Sequence, residues 1–204
     1  MGMIESKVLA IVESVIGSRS VRTGFTWLEN RHTQRNCGQF YEVIERIFAD
    51  LGGSHEGLLG KRHTVLPPDA YFPAPFNFIL EVDELQHFTP QKGAALRRYP
   101  EGLGLGFSVS EYLTFCSRYG AEALRKGPSG YRKRTPEFPF EYGRTAQRAY
   151  FDSFRDLLAP LHGLRPTLRI PVPADAVHRD DVEVRVRQYL AGWVGQPGSA
   201  AAQR

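Results

Sequence analysis

Residues 69–87 read DAYFPAPFNFILEVDELQH. The middle of this stretch, residues 77–82, is a short apolar run rich in Phe and Ile and bounded by turn-forming residues. That is the pattern of a strand buried on both faces. The run ends in Glu81, Asp83, Glu84, Gln86 and His87. Acidic groups at the end of a buried strand are costly to desolvate unless something positive neutralises them, and a divalent metal ion would do so. Side chains alternate across a strand, which puts Glu81 and Asp83 on one face. Asp69 lies far enough upstream for an antiparallel arm to fold back and set it beside Glu81. Hard oxygen ligands of this kind, with water and phosphate completing the shell, suit Mg²⁺ (or Mn²⁺) better than zinc. The competing reading makes Asp83 and Glu84 solvated turn residues and lets Asp69 merely open a turn after Pro67 and Pro68.

Working outward, helical spacing of Ile4, Val8, Ile11, Val12 and Val15 predicts a helix over 4–16 that stops at Gly17. Residues 25–32 are ambiguous. Residues 39–51 carry an apolar stripe ended by Gly52 and Gly53 and predict a second helix. Residues 61–66 read as a first strand, 71–76 as a proline-marked edge strand, and 77–83 as the central strand. Residues 88–142 read as an irregular insertion around a helix at 110–124. A helix at 144–158, a strand at 165–172 and a helix at 180–193 follow, then a small-residue tail at 196–204. The order predicts a mixed α/β layout around a small sheet, as one domain over 1–195. A chain of 204 residues with two cysteines and net charge +4 has neither a disulfide framework nor a membrane-spanning run. Glu5 and Glu13 within the first apolar pattern argue against a secretory signal, so a cytoplasmic protein with reduced thiols is expected.

Asp69, then Tyr71-Phe72-Pro73, then an apolar strand ending Glu81-x-Asp83-x-x-Gln86-His87 resembles the core of the PD-(D/E)xK nuclease superfamily. The nearest branch is that of the very-short-patch repair endonucleases. The resemblance implies a restriction-endonuclease-like core (helix, three strands, helix, strand), here with a basic insertion and a C-terminal helix. It also implies that Asp69 and Glu81 hold the metal, with Asp83, His87 and Gln86 assisting. Asp83 replaces the superfamily's usual lysine, as in the narrower branch, and Glu84 replaces that branch's glycine. Lys92 is a candidate for the missing cation. The superfamily often places a Gln on the helix after its acidic strand, and Gln147 falls inside the apolar arc of the 144–158 helix, where it needs partners. The first long helix of such nucleases often carries a Glu facing the metal; Glu45 fits better than Glu42.

Charge distribution adds an independent clue. Arg132, Lys133, Arg134, Arg144 and Arg148 stand among Tyr131, Phe138, Phe140 and Tyr142, and cations with interleaved aromatics suit a phosphate backbone with exposed bases. The expectation is a metal-dependent DNA endonuclease acting in repair, restriction or defence, with DNA as partner and room for a partner protein that supplies specificity. The alternative is an inactive module of the same fold that binds nucleic acid or a protein.

Overall fold

The apolar run becomes the central strand, β2 (Phe78–Glu84), between β1 (Ala70–Phe72) and β3 (Leu168–Val172). β1 pairs antiparallel with β2, Ala70 opposite Leu80. β3 runs parallel to β2, with Arg169 beside Glu81 and Pro171 beside Asp83. The computed structural model describes residues 2–173 and 179–194, so the tail expected at 196–204 lies outside the described residues.

Strand alternation divides the core. Phe78, Leu80 and Val82 pack under α1 (Met3–Ile16) and α8 (Arg179–Val194), against Val8, Val12, Val186 and Trp193. Ile79, on the opposite face, joins a larger cluster built by α3 (Tyr41–Asp50), α5 (Pro90–Leu96), α6 (Val109–Lys126) and α7 (Gly143–Leu158). Short helices α2 (Gln34–Cys37) and α4 (His55–Leu59) lie between α1 and the sheet in sequence. The result is a mixed α/β arrangement with helices on both faces of a three-stranded mixed sheet. Gly17 ends α1 in the left-handed region (φ 69), as its position predicts.

Three elements differ from the sequence reading. Residues 61–66 do not join the sheet. Their backbone pairs with the preceding loop instead: Leu66 N–H donates to Leu28 O and Asn30 N–H to Thr64 O, with one isolated bridge between Glu29 and Val65. Asn30 and Arg31 add side-chain bonds to the carbonyls of Arg62 and Lys61, and these satisfy the segment locally. The arm at 71–76 keeps strand pairing only to Phe72, because Pro73 and Pro75 supply no N–H for a ladder. The stretch 88–142 is less irregular than expected. It holds α5 and α6, whose Leu96, Tyr112 and Tyr119 are buried in the main cluster, so these helices form part of the layer over the sheet.

Gly143 starts α7 where a β-carbon would lie 2.0 Å from the Phe138 carbonyl oxygen. This close approach sets the start of α7 against the backbone of Phe138. Among the described residues no helix is long and apolar enough to cross a membrane. Cys37 and Cys116 are free, buried thiols, pushed up to about 11 by burial.

Candidate active site

The β1–β2 ribbon sets Asp69 and Glu81 side by side. Asp69 N–H donates to Glu81 Oε1 (3.3 Å), and Val82 N–H donates to Asp69 Oδ2 (2.9 Å). Burial raises the Asp69 carboxyl above its usual range, against the lowering effect of the Val82 N–H. Burial also pushes Glu81 up to about 8, although Arg155 Nε lies 3.1 Å from Oε1. Desolvation therefore outweighs the guanidinium, and near neutral pH Glu81 keeps a proton unless another cation takes its place. Among the described residues no hydrogen bond reaches Asp69 Oδ1 or Glu81 Oε2.

Both acids line an open cavity of about 470 Å³ to which Lys61, Arg144, Arg148 and Arg155 bring positive charge, beside a third acid, Asp152, and uncharged residues such as Asn30, Tyr131 and Phe151. The three arginines share one face of α7, because spacings of four and seven residues return to nearly the same angle on a helix. Arg148 is half-buried, donates to Tyr131 Oη (2.7 Å) and abuts His87 Nε2. Arg144 donates to Gln147 Oε1. Neither has a carboxylate partner among the described residues. Arg132, Lys133 and Arg134 are exposed and directly follow Tyr131, a residue of the cavity wall. Backbone bonds from Tyr142 N–H to Arg132 O and from Arg144 N–H to Lys133 O (2.9 Å) tie that segment to the start of α7.

The other residues expected at the site stand behind this wall. Both oxygens of Asp83 accept from Arg169 Nη1 (3.0 and 2.9 Å), and Oδ2 also accepts from Tyr112 Oη (2.8 Å). His87 Nδ1 lies 2.5 Å from Asp83 Oδ1. Burial alone would raise Asp83, but Arg169, His87 and Lys92 together hold it well below the usual range. Gln147 is buried and donates to Glu137 Oε1 (2.6 Å), which Lys61 also contacts, so its partner is that carboxylate. Gln86 Nε2 donates to Glu84 (3.3 Å). Lys92 is fully buried and bound to Asp152 (3.2 Å) and Asp156 (3.3 Å) instead of Glu81. Glu45 faces His32 and His55 and not the β1–β2 acids.

Asp83, His87 and Asp152 offer ligand atoms within 4.8 Å of one another, close enough to hold a metal ion. The Arg169 guanidinium contacts both carboxylates, and the Lys92 ammonium contacts Asp152, so positive charge is already supplied there. Among the described residues Glu81 pairs with Arg155 alone and Asp69 has no ion pair.

Arg155, Asp152, Asp156, Arg169 and Lys61 escaped the sequence reading. The clearest missed signal is Arg169, a cation within the otherwise apolar strand Leu168–Val172. A buried arginine requires acids nearby. Asp152 and Asp156, one turn apart inside the buried stripe of α7, supply them. Comparison with protein-family models, curated proteins and solved structures finds no match to this chain.

Proposed function

We propose that the cavity over Asp69 and Glu81 is the site of a metal-dependent nuclease with a restriction-endonuclease-like core. The observation that carries this reading is the adjacent Asp69–Glu81 pair, Glu81 buried and Asp69 half-buried, electrostatically under-compensated in a cavity that four basic side chains also line. One or two carboxylates with unbonded oxygens and room for water and phosphate are what Mg²⁺ or Mn²⁺ requires, so the residues fit the ion. Bound there, the ion would activate water and offset charge developing on a phosphodiester. Arg144 and Arg148, pre-positioned by Gln147 and Tyr131, would take phosphate oxygens, and Arg155 would share Glu81 with the ion. Asp83, His87 and Gln147 would act as positioning residues from behind the wall.

The test is incubation of supercoiled plasmid, linear duplex and single strands with Mg²⁺ or Mn²⁺, beside Asp69→Asn and Glu81→Gln. The expected result is metal-dependent cutting by wild type, reduced at least a hundredfold in either variant. Equal cutting by all three proteins would end the assignment.

Two observations favour the non-cleaving alternative: Arg155 already sits on Glu81, and Arg169 seals the Asp83 position that holds lysine in most of the superfamily. Tight nucleic-acid binding without metal-dependent cutting would select it. Both readings give the basic rim the same work. Replacing Arg132, Lys133 and Arg134 with Ala is expected to weaken binding across sequences. The slope of log affinity against log salt should fall by about 0.9 for each duplex phosphate that the variant no longer neutralises. Fluorescence anisotropy in chelator at several salt concentrations measures both, and an unchanged slope would remove these residues from the interface.

A further inference from the structure

Away from the cavity floor, three segments converge on a single carboxylate. His32 comes from the loop before α2, Glu45 from α3 and His55 from the first position of α4. His32 Nε2 lies 2.5 Å from Glu45 Oε2, and His55 Nε2 lies 3.0 Å from Glu45 Oε1. The two imidazole centroids are 6.4 Å apart and the rings stand at 73°. His32 is buried, and its other nitrogen, Nδ1, lies 2.5 Å from Tyr150 Oη. Tyr150 Oη also accepts from the His32 backbone N–H (3.2 Å), which fixes both ring and backbone.

We infer that His32, Glu45 and His55 form a binding site for a late first-row divalent ion, foremost Zn²⁺, with water in the fourth position. Two imidazoles and one carboxylate are a donor set of zinc type, unlike the all-oxygen pair of Asp69 and Glu81. Zn–N bonds of about 2.0–2.1 Å place the centroids of two imidazoles on one ion roughly 5–6 Å apart. The observed 6.4 Å therefore leaves a small closure. The ligand atoms do not yet share one coordination span, as those of Asp83, His87 and Asp152 do, but the His55 side chain is 61 % exposed, and a turn of this ring toward His32 would close the site. Metal-bound histidines characteristically have their second nitrogen held by an outer partner, and Tyr150 already fills that role for His32. Its hydroxyl can donate to Nδ1 or accept from it. It thus serves the tautomer that donates Nε2–H to Glu45 as well as the one that turns the Nε2 lone pair to an ion. An ion there would tie the 30s loop, α3 and α4 together, and the inference stands independently of the nuclease reading.

The test uses the full chain without a histidine tag, stripped with chelator and dialysed. It is titrated with Co²⁺ as a spectroscopic probe and with Zn²⁺ by calorimetry. Wild type should bind about one equivalent with the intense visible bands of a four-coordinate cobalt site, displaced by Zn²⁺. His55→Ala, a change at an exposed ring, should lower affinity at least tenfold with unaltered far-ultraviolet dichroism, and Glu45→Gln should do the same. Glu81→Gln should leave the cobalt spectrum unchanged. Failure of wild type to bind at micromolar metal would overturn the inference. So would undiminished binding by His55→Ala, or loss of the bands in Glu81→Gln.

Discussion

Arg169→Leu is expected to cost on the order of 3–5 kcal/mol of stability, or to prevent folding, because it strands buried acids without their principal counter-ion. Arg169 is fully buried. Its guanidinium reaches Asp83 (2.9 Å), Asp156 (2.5 Å) and Asp152 (3.4 Å). Among the described residues three acids thus face Arg169, Lys92 and Arg155, but Lys92 pairs with Asp152 and Asp156 and Arg155 with Asp152 (3.6 Å), so neither pairs with Asp83. Removing the arginine leaves Asp83 with Tyr112 and His87 as its remaining partners. The network also joins β2, β3, α5, α6 and α7 through one set of charges, so the loss spreads to every layer on that face. Urea unfolding followed by Trp27 and Trp193 fluorescence measures the change. A loss below about 1 kcal/mol would mean that the network is not a stabilising centre of the fold.

The second large effect is a pH-dependent gain in Glu81→Gln. The folded chain keeps a proton on Glu81 up to about pH 8, whereas an ordinary glutamate releases it near 4.5. Stability from this group is therefore fully present below about 4.5 and is lost as pH rises, levelling off above about 8. A glutamine carries no such proton. Glu81→Gln and wild type should thus differ little at pH 4 and diverge toward pH 8, the variant being more stable by at most about 5 kcal/mol. Asp83 and Asp152 work in the opposite sense. Their carboxyls are held below the usual 3.8, so their contribution is present above that value and disappears as pH falls further. Thermal unfolding of both proteins from pH 4 to 9 in chelator measures the divergence, and parallel curves would show that Glu81 ionises normally.

The central strand was legible because its short length, its Phe- and Ile-rich composition and the turn-forming residues around it agreed on it. The shared face of Glu81 and Asp83 follows from strand geometry alone, and the proximity of Asp69 from the length of the arm. Their different fates were not legible. Glu81 opens onto a cavity and Asp83 is sealed by Arg169, a residue distant in sequence whose position depends on the parallel pairing of β2 with β3. Gln147 was correctly read as buried, but its partner, Glu137, comes from a loop without periodic signal. The place of Glu45 on the first long helix favours it over Glu42 as a residue facing the metal, with a plain surface charge as the competing reading. What Glu45 meets is set by the loop carrying His32, which local spacing does not encode. The strand expected at 61–66 failed for a related reason: β-pairing depends on which partner the fold supplies, and here it is the 28–30 loop.

The central claim is that Asp69 and Glu81 jointly take a hard divalent cation, and Mn²⁺ titration by calorimetry tests it most directly. Wild type and Glu81→Gln would be compared at pH 6.5 and 8.5, each in two buffers of different ionisation enthalpy. An ion binding at a protonated glutamate must displace the proton. Wild type should therefore bind about one Mn²⁺, release close to one proton at pH 6.5 and less at 8.5, and bind more tightly at the higher pH. Glu81→Gln should release none and lose at least tenfold in affinity. No heat from wild type at millimolar Mn²⁺, or identical binding and proton release in the variant, would contradict the account.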